Sequence, residues 1–253
     1  MDMAKRLFGY EPALCNRGGA IGTAILNVSD LAQNVDMGVT FNIAYKLDVI
    51  SSSAADAAAG TGARTIEIYG MDYDGNPLTE IVTMNGQTAV QTANTFWRVF
   101  AGKVQTAGTG RKNAGDIYIY KTGTGGTITA GVPGTLTSAL LKVLTGFNFA
   151  TSGMWTCPLG MTYSLENLVA QARVIAGRIM VFHSDERSAT PILAYPAISV
   201  DVAVSGAAII PVHGALVVNE LQDIYFKAQM TAASGIVAVD ACLRQINPSS
   251  ARY

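Results

Sequence analysis

The sequence predicts a mainly β protein, a β-sandwich of jelly-roll-like kind with an extended N-terminal arm, and three observations carry that prediction. Short runs such as Thr65-Ile66-Glu67-Ile68-Tyr69 alternate apolar and polar residues, as strands must when successive side chains point to opposite faces. Turn formers (Gly, Asn, Asp and Pro) bound these runs at intervals of about ten residues, the spacing of sandwiches and barrels. No helical pattern alternates with the strands, so a parallel α/β sheet is excluded.

Residues 1–26 contain Gly9, Pro12, Gly18, Gly19 and Gly22 without sustained periodicity, the composition of an arm. Its Leu7, Phe8, Tyr10 and Leu14 favour lying on a sheet of this chain or of a neighbour. A first β lobe is read over 27–145. Within it Val39, Phe41, Ile43 and Tyr45 make a strand, and Ser51 to Gly60, small and Ala-rich, makes a surface loop or a single helical turn. Gly60 to Tyr120 reads as a β-meander: Thr65 to Tyr69, Leu78 to Met84, Gln87 to Thr92, Phe96 to Phe100 and Asp116 to Tyr120. Asn85-Gly86 predicts a type I′ hairpin, since both residues tolerate positive φ. Lys121 to Gly134, a Gly/Thr run ending in Pro133-Gly134, is expected to be a flexible turn and a seam between lobes. It lacks the Gly-Lys-Ser/Thr ending of a phosphate loop.

The second lobe is read over 146–247, with a polar tail at 248–253. Leu165 to Ile179 is ambiguous, because Leu165, Leu168, Val169 and Ala172 also fit one helical face; the surrounding pattern favours strand. Gly177 to His183 is a clearer strand, and Ser184 to Ser188 its exposed turn. Ile192 to Tyr195, Ala197 to Ser205, Ala215 to Val218, Asp223 to Ala228 and Gly235 to Leu243 complete the set. Ala197 to Val218 is apolar enough to resemble a membrane span, but its alternation, with Pro211 and His213 following, makes it a half-buried strand and a turn.

Composition narrows the function. Charged residues are 14% of the chain and the formal net charge is −1, against about 25% charged residues in an average domain. A surface so poor in charge favours association with other subunits. It disfavours nucleic acid as a partner, because phosphate binding needs clustered cations and Lys5-Arg6 and Arg111-Lys112 are the densest basic spots. Cys15, Cys157 and Cys242 are odd in number and widely spaced, the pattern of buried or free thiols and not of a zinc or redox pair. Gly9 to Gly22 offers no apolar core for a signal peptide, so ordinary secretion is not expected.

No constellation marks an active site, and neither cofactor nor metal is expected. His183 stands beside Ser184-Asp185-Glu186, but neighbours on a strand point apart and a triad is assembled from distant positions. His213, between Pro211 and Gly214, reads as a loop or interface residue. Asp72, Asp74 and Asn76, with Glu80 nearby, resemble the start of a calcium loop, yet Pro77 stands where the glycine belongs and Thr83 where a bidentate Glu belongs. A structural turn is the simpler reading. Tyr69, Tyr73, Trp97, Tyr118 and Tyr120 offer either a sugar-stacking surface or cross-strand and subunit contacts.

Four segments carry a resemblance: Ala59-Gly-Thr-Gly-Ala-Arg-Thr65, Gly70-Met-Asp-Tyr-Asp-Gly-Asn76, Glu80-Ile-Val-Thr-Met-Asn-Gly86 and Thr95-Phe-Trp-Arg-Val99. Together they resemble a module of virion structural proteins from tailed bacteriophages, marine and cyanobacterial ones especially, and Asn219 to Tyr225 resembles that group's last strands more loosely. The resemblance implies a non-enzymatic virion component assembled in the host cytoplasm. A capsid decoration or cement protein comes first, a homotrimer bridging capsomers on the major capsid protein. A head fibre, tail knob or adaptor binding host glycans is the alternative. A secreted lectin or hydrolase domain fits less well, and so does the major shell protein, whose usual fold needs a long helix.

Overall fold

Strands make up every regular element among the residues that the computed structural model describes, namely 4–6, 35–36, 43–135, 139–173, 177–184, 198–202, 207–230 and 236–246. The mainly β reading therefore holds. The chain divides into two compact units, one of Ile43–Ser152 and one of Met1–Asn42 with Gly153–Tyr253. Two short strands, β1 (Ala4–Arg6) and β2 (Val35–Asp36), come first and belong to the second of these.

The unit Ile43–Ser152 holds β3 (Leu47–Ser51), β4 (Ala63–Met71), β5 (Pro77–Thr83), β6 (Val90–Gln91), β7 (Arg98–Ala107) and β8 (Ile117–Lys121). β9 (Ile128–Thr129), β10 (Val132–Pro133), β11 (Ala139–Val143) and β12 (Phe149–Thr151) complete it. They form two antiparallel four-stranded sheets, β11-β8-β3-β6 and β12-β7-β4-β5, and the small β9–β10 hairpin. The sheets face each other across Gly102 of β7, where a Cβ would lie 2.7 Å from Leu141 Cδ2 and 3.1 Å from Ile119 Cδ1. Only a residue without a side chain lets the two layers approach so closely. Ile66, Ile68, Val49, Ile119 and Leu141 are buried in this unit's core, each worth about 1.5–3 kcal/mol of transfer free energy. Ile66 and Ile68 lie inside, while Thr65, Glu67 and Tyr69 are partly exposed, as their alternation predicts.

The expected meander is not what forms. β4 pairs with β5 on one side and with β7 on the other, while β6 and β8 pair with β3 in the opposite sheet. The reason lies at Asn85-Gly86, which closes no hairpin. Of the two only Gly86 takes positive φ, at 59°, whereas a type I′ turn needs it at both. Gly86 N–H donates to the Asp56 carbonyl at 2.6 Å, and the chain leaves β5 for the other sheet.

The Ala-rich Ser51–Gly60 segment is the expected surface loop, a series of turns with Ala54, Ala58 and Ala59 exposed, though Asp56 within it is wholly buried. One further expectation changes. Lys121–Gly134 is no seam, since it lies within one unit and the division falls at Ser152–Gly153. It carries the β9–β10 hairpin over the outer face of β8, where Val132 and Ala89 pack on Ile50, Tyr118 and Tyr120. Of the strand read through Val39, Phe41, Ile43 and Tyr45, the first two residues lie outside the described ones, Ile43 is an exposed bend, and Tyr45 makes a single bridge to Phe96.

The other unit continues with β13 (Met154–Thr156), β14 (Thr162–Arg173), β15 (Gly177–Ser184) and β16 (Ile198–Val202). β17 (Ala207–Val218), β18 (Asp223–Met230) and β19 (Ile236–Ile246) follow. Its sheets run β1-β19-β14-β17 and β13-β18-β15-β16, with β2 on β18. Through β1 the start of the arm adds an edge strand to a sheet of this chain, with Ala4 opposite Arg244. The ambiguous segment is strand as far as Arg173, and a bulge explains its helical look. The register slips between Leu165 and Asn167 against both β19 and β17, which resets the alternation and leaves Leu165 and Leu168, three apart, both fully buried.

β17 runs through Pro211 and His213, where a turn was expected. Opposite the bulge its partner register jumps from Leu216 to Pro211, an irregularity that accommodates a residue with no N–H to offer a ladder. The strand expected at Ile192 to Tyr195, most of the turn at Ser184 to Ser188, most of the arm and the 248–253 tail lie outside the described residues.

Candidate functional site

The unit Ile43–Ser152 holds a buried carboxylate with four hydrogen bonds that sequence reading passed over. Asp56 is fully buried. Its Oδ1 accepts from Ala63 N at 2.6 Å and Ala114 N at 2.8 Å, and its Oδ2 from Ser51 Oγ at 2.6 Å and Gly115 N at 2.9 Å. One carboxylate thus ties the end of β3, the start of β4 and the β7–β8 loop. Glycines make the approach possible, since a Cβ on Gly62 would lie 2.1 Å from Asp56 Oδ1 and one on Gly108 2.2 Å from the Gly60 carbonyl oxygen. The signal was a lone acid in an Ala-rich run followed by Gly-Thr-Gly, which locally reads as loop and nothing more. Every acceptor position is filled by a fixed donor, so the arrangement braces loops and offers no reactive group.

Asp72 behaves differently at the β4–β5 turn. Its Oδ1 accepts from Asn76 N at 2.9 Å, an Asx-type closure, and Gly75 supplies the positive φ of 88°. Glu80, the fourth ligand of the imagined calcium loop, turns instead to the segment before β7, where its oxygens accept from Ala93 N at 2.6 Å and Asn94 N at 2.9 Å. The four residues are not gathered round one point. Among the described residues no group of three or more His, Cys, Asp or Glu could hold a metal ion.

The aromatic set is likewise dispersed. Trp97 is fully buried under the Arg98 guanidinium, whose carbon lies 3.9 Å from the ring centroid and whose Nη1 donates to the Trp97 carbonyl at 3.1 Å. Tyr118 and Tyr120 are 4% and 1% exposed beneath the Lys121–Gly134 run, and burial pushes both phenols above their ordinary value. Tyr69 is partly buried and donates to Glu67. Only Tyr73 presents a substantial face, its ring edge-on to Trp97 at 6.0 Å. These residues form no shared sugar-stacking surface, because β8 turns its tyrosines toward a loop that covers them.

A second polar bracket holds the turn after β11. Asn113, fully buried, donates through Nδ2 to the Gly115 and Leu144 carbonyls and accepts at Oδ1 from Gly146 N and Asn148 N, both at 3.1 Å. Asp116 accepts from Thr145 N and Thr145 Oγ1, both at 2.8 Å, and pairs with Lys142 at 2.8 Å. Burial raises the Asp116 carboxyl, but hydrogen bonds from Lys142 and Thr145 and the Lys142 charge outweigh it and hold it below 3.8.

In the other unit His183 lies on β15 opposite Ile224, and His213 within β17. Asp185 and Glu186 are outside the described residues. Cys157 is a buried free thiol, pushed up to about 12 by burial and then by the Glu220 charge, which leaves it unreactive at neutral pH. Among the described residues no helix is long and apolar enough to cross a membrane.

No family model matches the chain. No curated protein matches it either. Among solved structures it overlaps an insecticidal delta-endotoxin from Bacillus thuringiensis with a TM-score of 0.23 and 8% identity, over 97% of this chain and 59% of that one. The chain thus spans less than two thirds of that structure, and an overlap at this score carries no argument about fold or activity.

Proposed function

We propose that this chain is a structural protein of a tailed-phage virion, a capsid decoration or cement protein that stabilises the shell through contacts with copies of itself and with the major capsid protein. The observation that carries the reading is how the residues behind the resemblance are used. Gly62 clears the space beside the Asp56 carboxylate and Gly60 that beside the Ala55 carbonyl, Asp72 and Asn76 close a turn, Glu80 holds the chain ahead of β7, and Trp97 with Arg98 fills the unit's interior. All of them hold shape, and they form no catalytic constellation among the described residues.

Low charge and large apolar side chains left in water support the same reading. Ile81 on the sheet-edge strand β5 is 55% exposed and Phe147 65%, positions suited to burial against neighbours. The glycan-binding appendage fits less well, since three of its five aromatics, Trp97, Tyr118 and Tyr120, are buried. A particle assembled without this protein is expected to lose head stability on heating and osmotic shock, and added protein to restore it. Mutant heads as stable as wild type would refute the cement role, and a label found on the tail would transfer the protein to the appendage.

A further inference from the structure

The unit Ile43–Ser152 has a basic tip and an acidic tip at opposite ends of one sheet, and we propose that the basic tip of one copy docks on the acidic tip of a second. At the Ala63 end of β4, the β7–β8 loop is tied down by Gly108 N to Gly62 O and Gly110 N to Thr61 O, both 2.8 Å. It presents Arg111 and Lys112, both exposed, next to exposed Arg64 of β4. Arg111 takes a positive φ of 56°. The turn after β11 lies against this loop, since a Cβ on Gly146 would sit 3.9 Å from Lys112 Nζ. It holds Phe147 out at 65% exposure.

Two features make this tip a docking surface. Among the described residues no carboxylate pairs with Arg64, Arg111 or Lys112, whereas nearby Lys142 is neutralised by Asp116. The Phe147 turn is braced on both sides by Asn113 and Asp116, so the ring is fixed before any partner arrives and little entropy is lost on binding. A fixed aromatic ring on a turn that abuts Lys112, at a tip that also carries Arg64 and Arg111, calls for an apolar surface flanked by carboxylates.

The chain supplies such a surface itself. The β4–β5 turn carries Asp72 and Asp74 on either side of Tyr73, which is 38% exposed. Nine residues of β4 separate this turn from the basic tip, about 30 Å at the rise of a strand. Complementary patches at opposite ends of one body make a heterologous, head-to-tail contact, which gives a ring where the rotation between copies closes and a filament where it does not. Three cations with an aromatic ring fit a protein surface better than a phosphate backbone, which needs a longer basic track.

The inference rests on the self-associating reading above and names its surfaces, but its test needs no virion. Sedimentation of the full-length protein over a concentration series is expected to show self-association that weakens several-fold as salt shortens the reach of surface charges. Phe147→Ser, Lys112→Glu and Asp74→Lys should each weaken it by about tenfold or more, with unchanged circular dichroism. Mixing Lys112→Glu with Asp74→Lys should restore pairing, because each variant keeps one intact tip and the altered tips complement each other. A wild-type chain that stays monomeric, variants that associate as well as wild type, or a mixture that recovers nothing would overturn the proposal. Loss of shell binding with association intact would refute the cement reading and leave this one standing.

Discussion

Asp56 and Asp72 stand sixteen positions apart in segments that both look like turns, and the fold treats them in opposite ways. Asp72 closes its own turn with Asn76, four residues on, and remains in contact with water. Asp56 is fully buried and binds partners up to 59 residues away. Asp116 lies between them, partly covered and linked to Thr145, 29 residues on, and to Lys142. A carboxylate that serves local geometry can be replaced by water. One that replaces water for four distant donors cannot, because buried donors left without an acceptor bear the full desolvation cost.

The largest expected effect follows at Asp56. Asp56→Ala strands three backbone N–H groups and the Ser51 hydroxyl, and should lower stability by roughly 3–5 kcal/mol in denaturant titration. A loss below about 1 kcal/mol would mean that water replaces the carboxylate and that the loops are not braced through it.

Asp116→Asn should cost about 1 kcal/mol at neutral pH, and the cost should depend on pH. The folded carboxyl titrates below its ordinary 3.8. Its contribution is therefore complete above that value and fades as pH falls through the lower folded one. Melting curves of wild type and variant should converge on acidification; a constant gap down to strong acid would assign the effect to packing. The smallest change is expected at Asp72→Ala, within about 0.5 kcal/mol by the same titration, since the turn keeps Gly75 and its backbone closure. A loss approaching that of Asp56→Ala would erase the contrast.

The strand content was legible from side-chain alternation, and Ile66 and Ile68 lie inside as it requires. Which strands pair was not legible. Asn85-Gly86 has the local chemistry of a hairpin, yet a hydrogen bond from Gly86 to Asp56 sends the chain to the other sheet, a contact between residues thirty positions apart. Leu165 and Leu168 mimic a helical face because a bulge between them shifts the alternation by one. The aromatics promised a surface, since a period of two tells which residues share a face and not what lies over it. Tyr118 and Tyr120 do share one, and a loop covers it.

By itself, then, the sequence determined that the chain is built of antiparallel strands, that its turns are cut by glycine and asparagine, and that it carries little charge. Those properties depend on residues within a few positions of one another. Only the tertiary structure decided that β5 and β7 flank β4, that Asp56 is a hub, that Glu80 braces a distant segment, and that Phe147 stands out beside Lys112. These depend on which distant segments meet, and that choice is made by burial summed over whole sheets against the entropy of closing the loops between them.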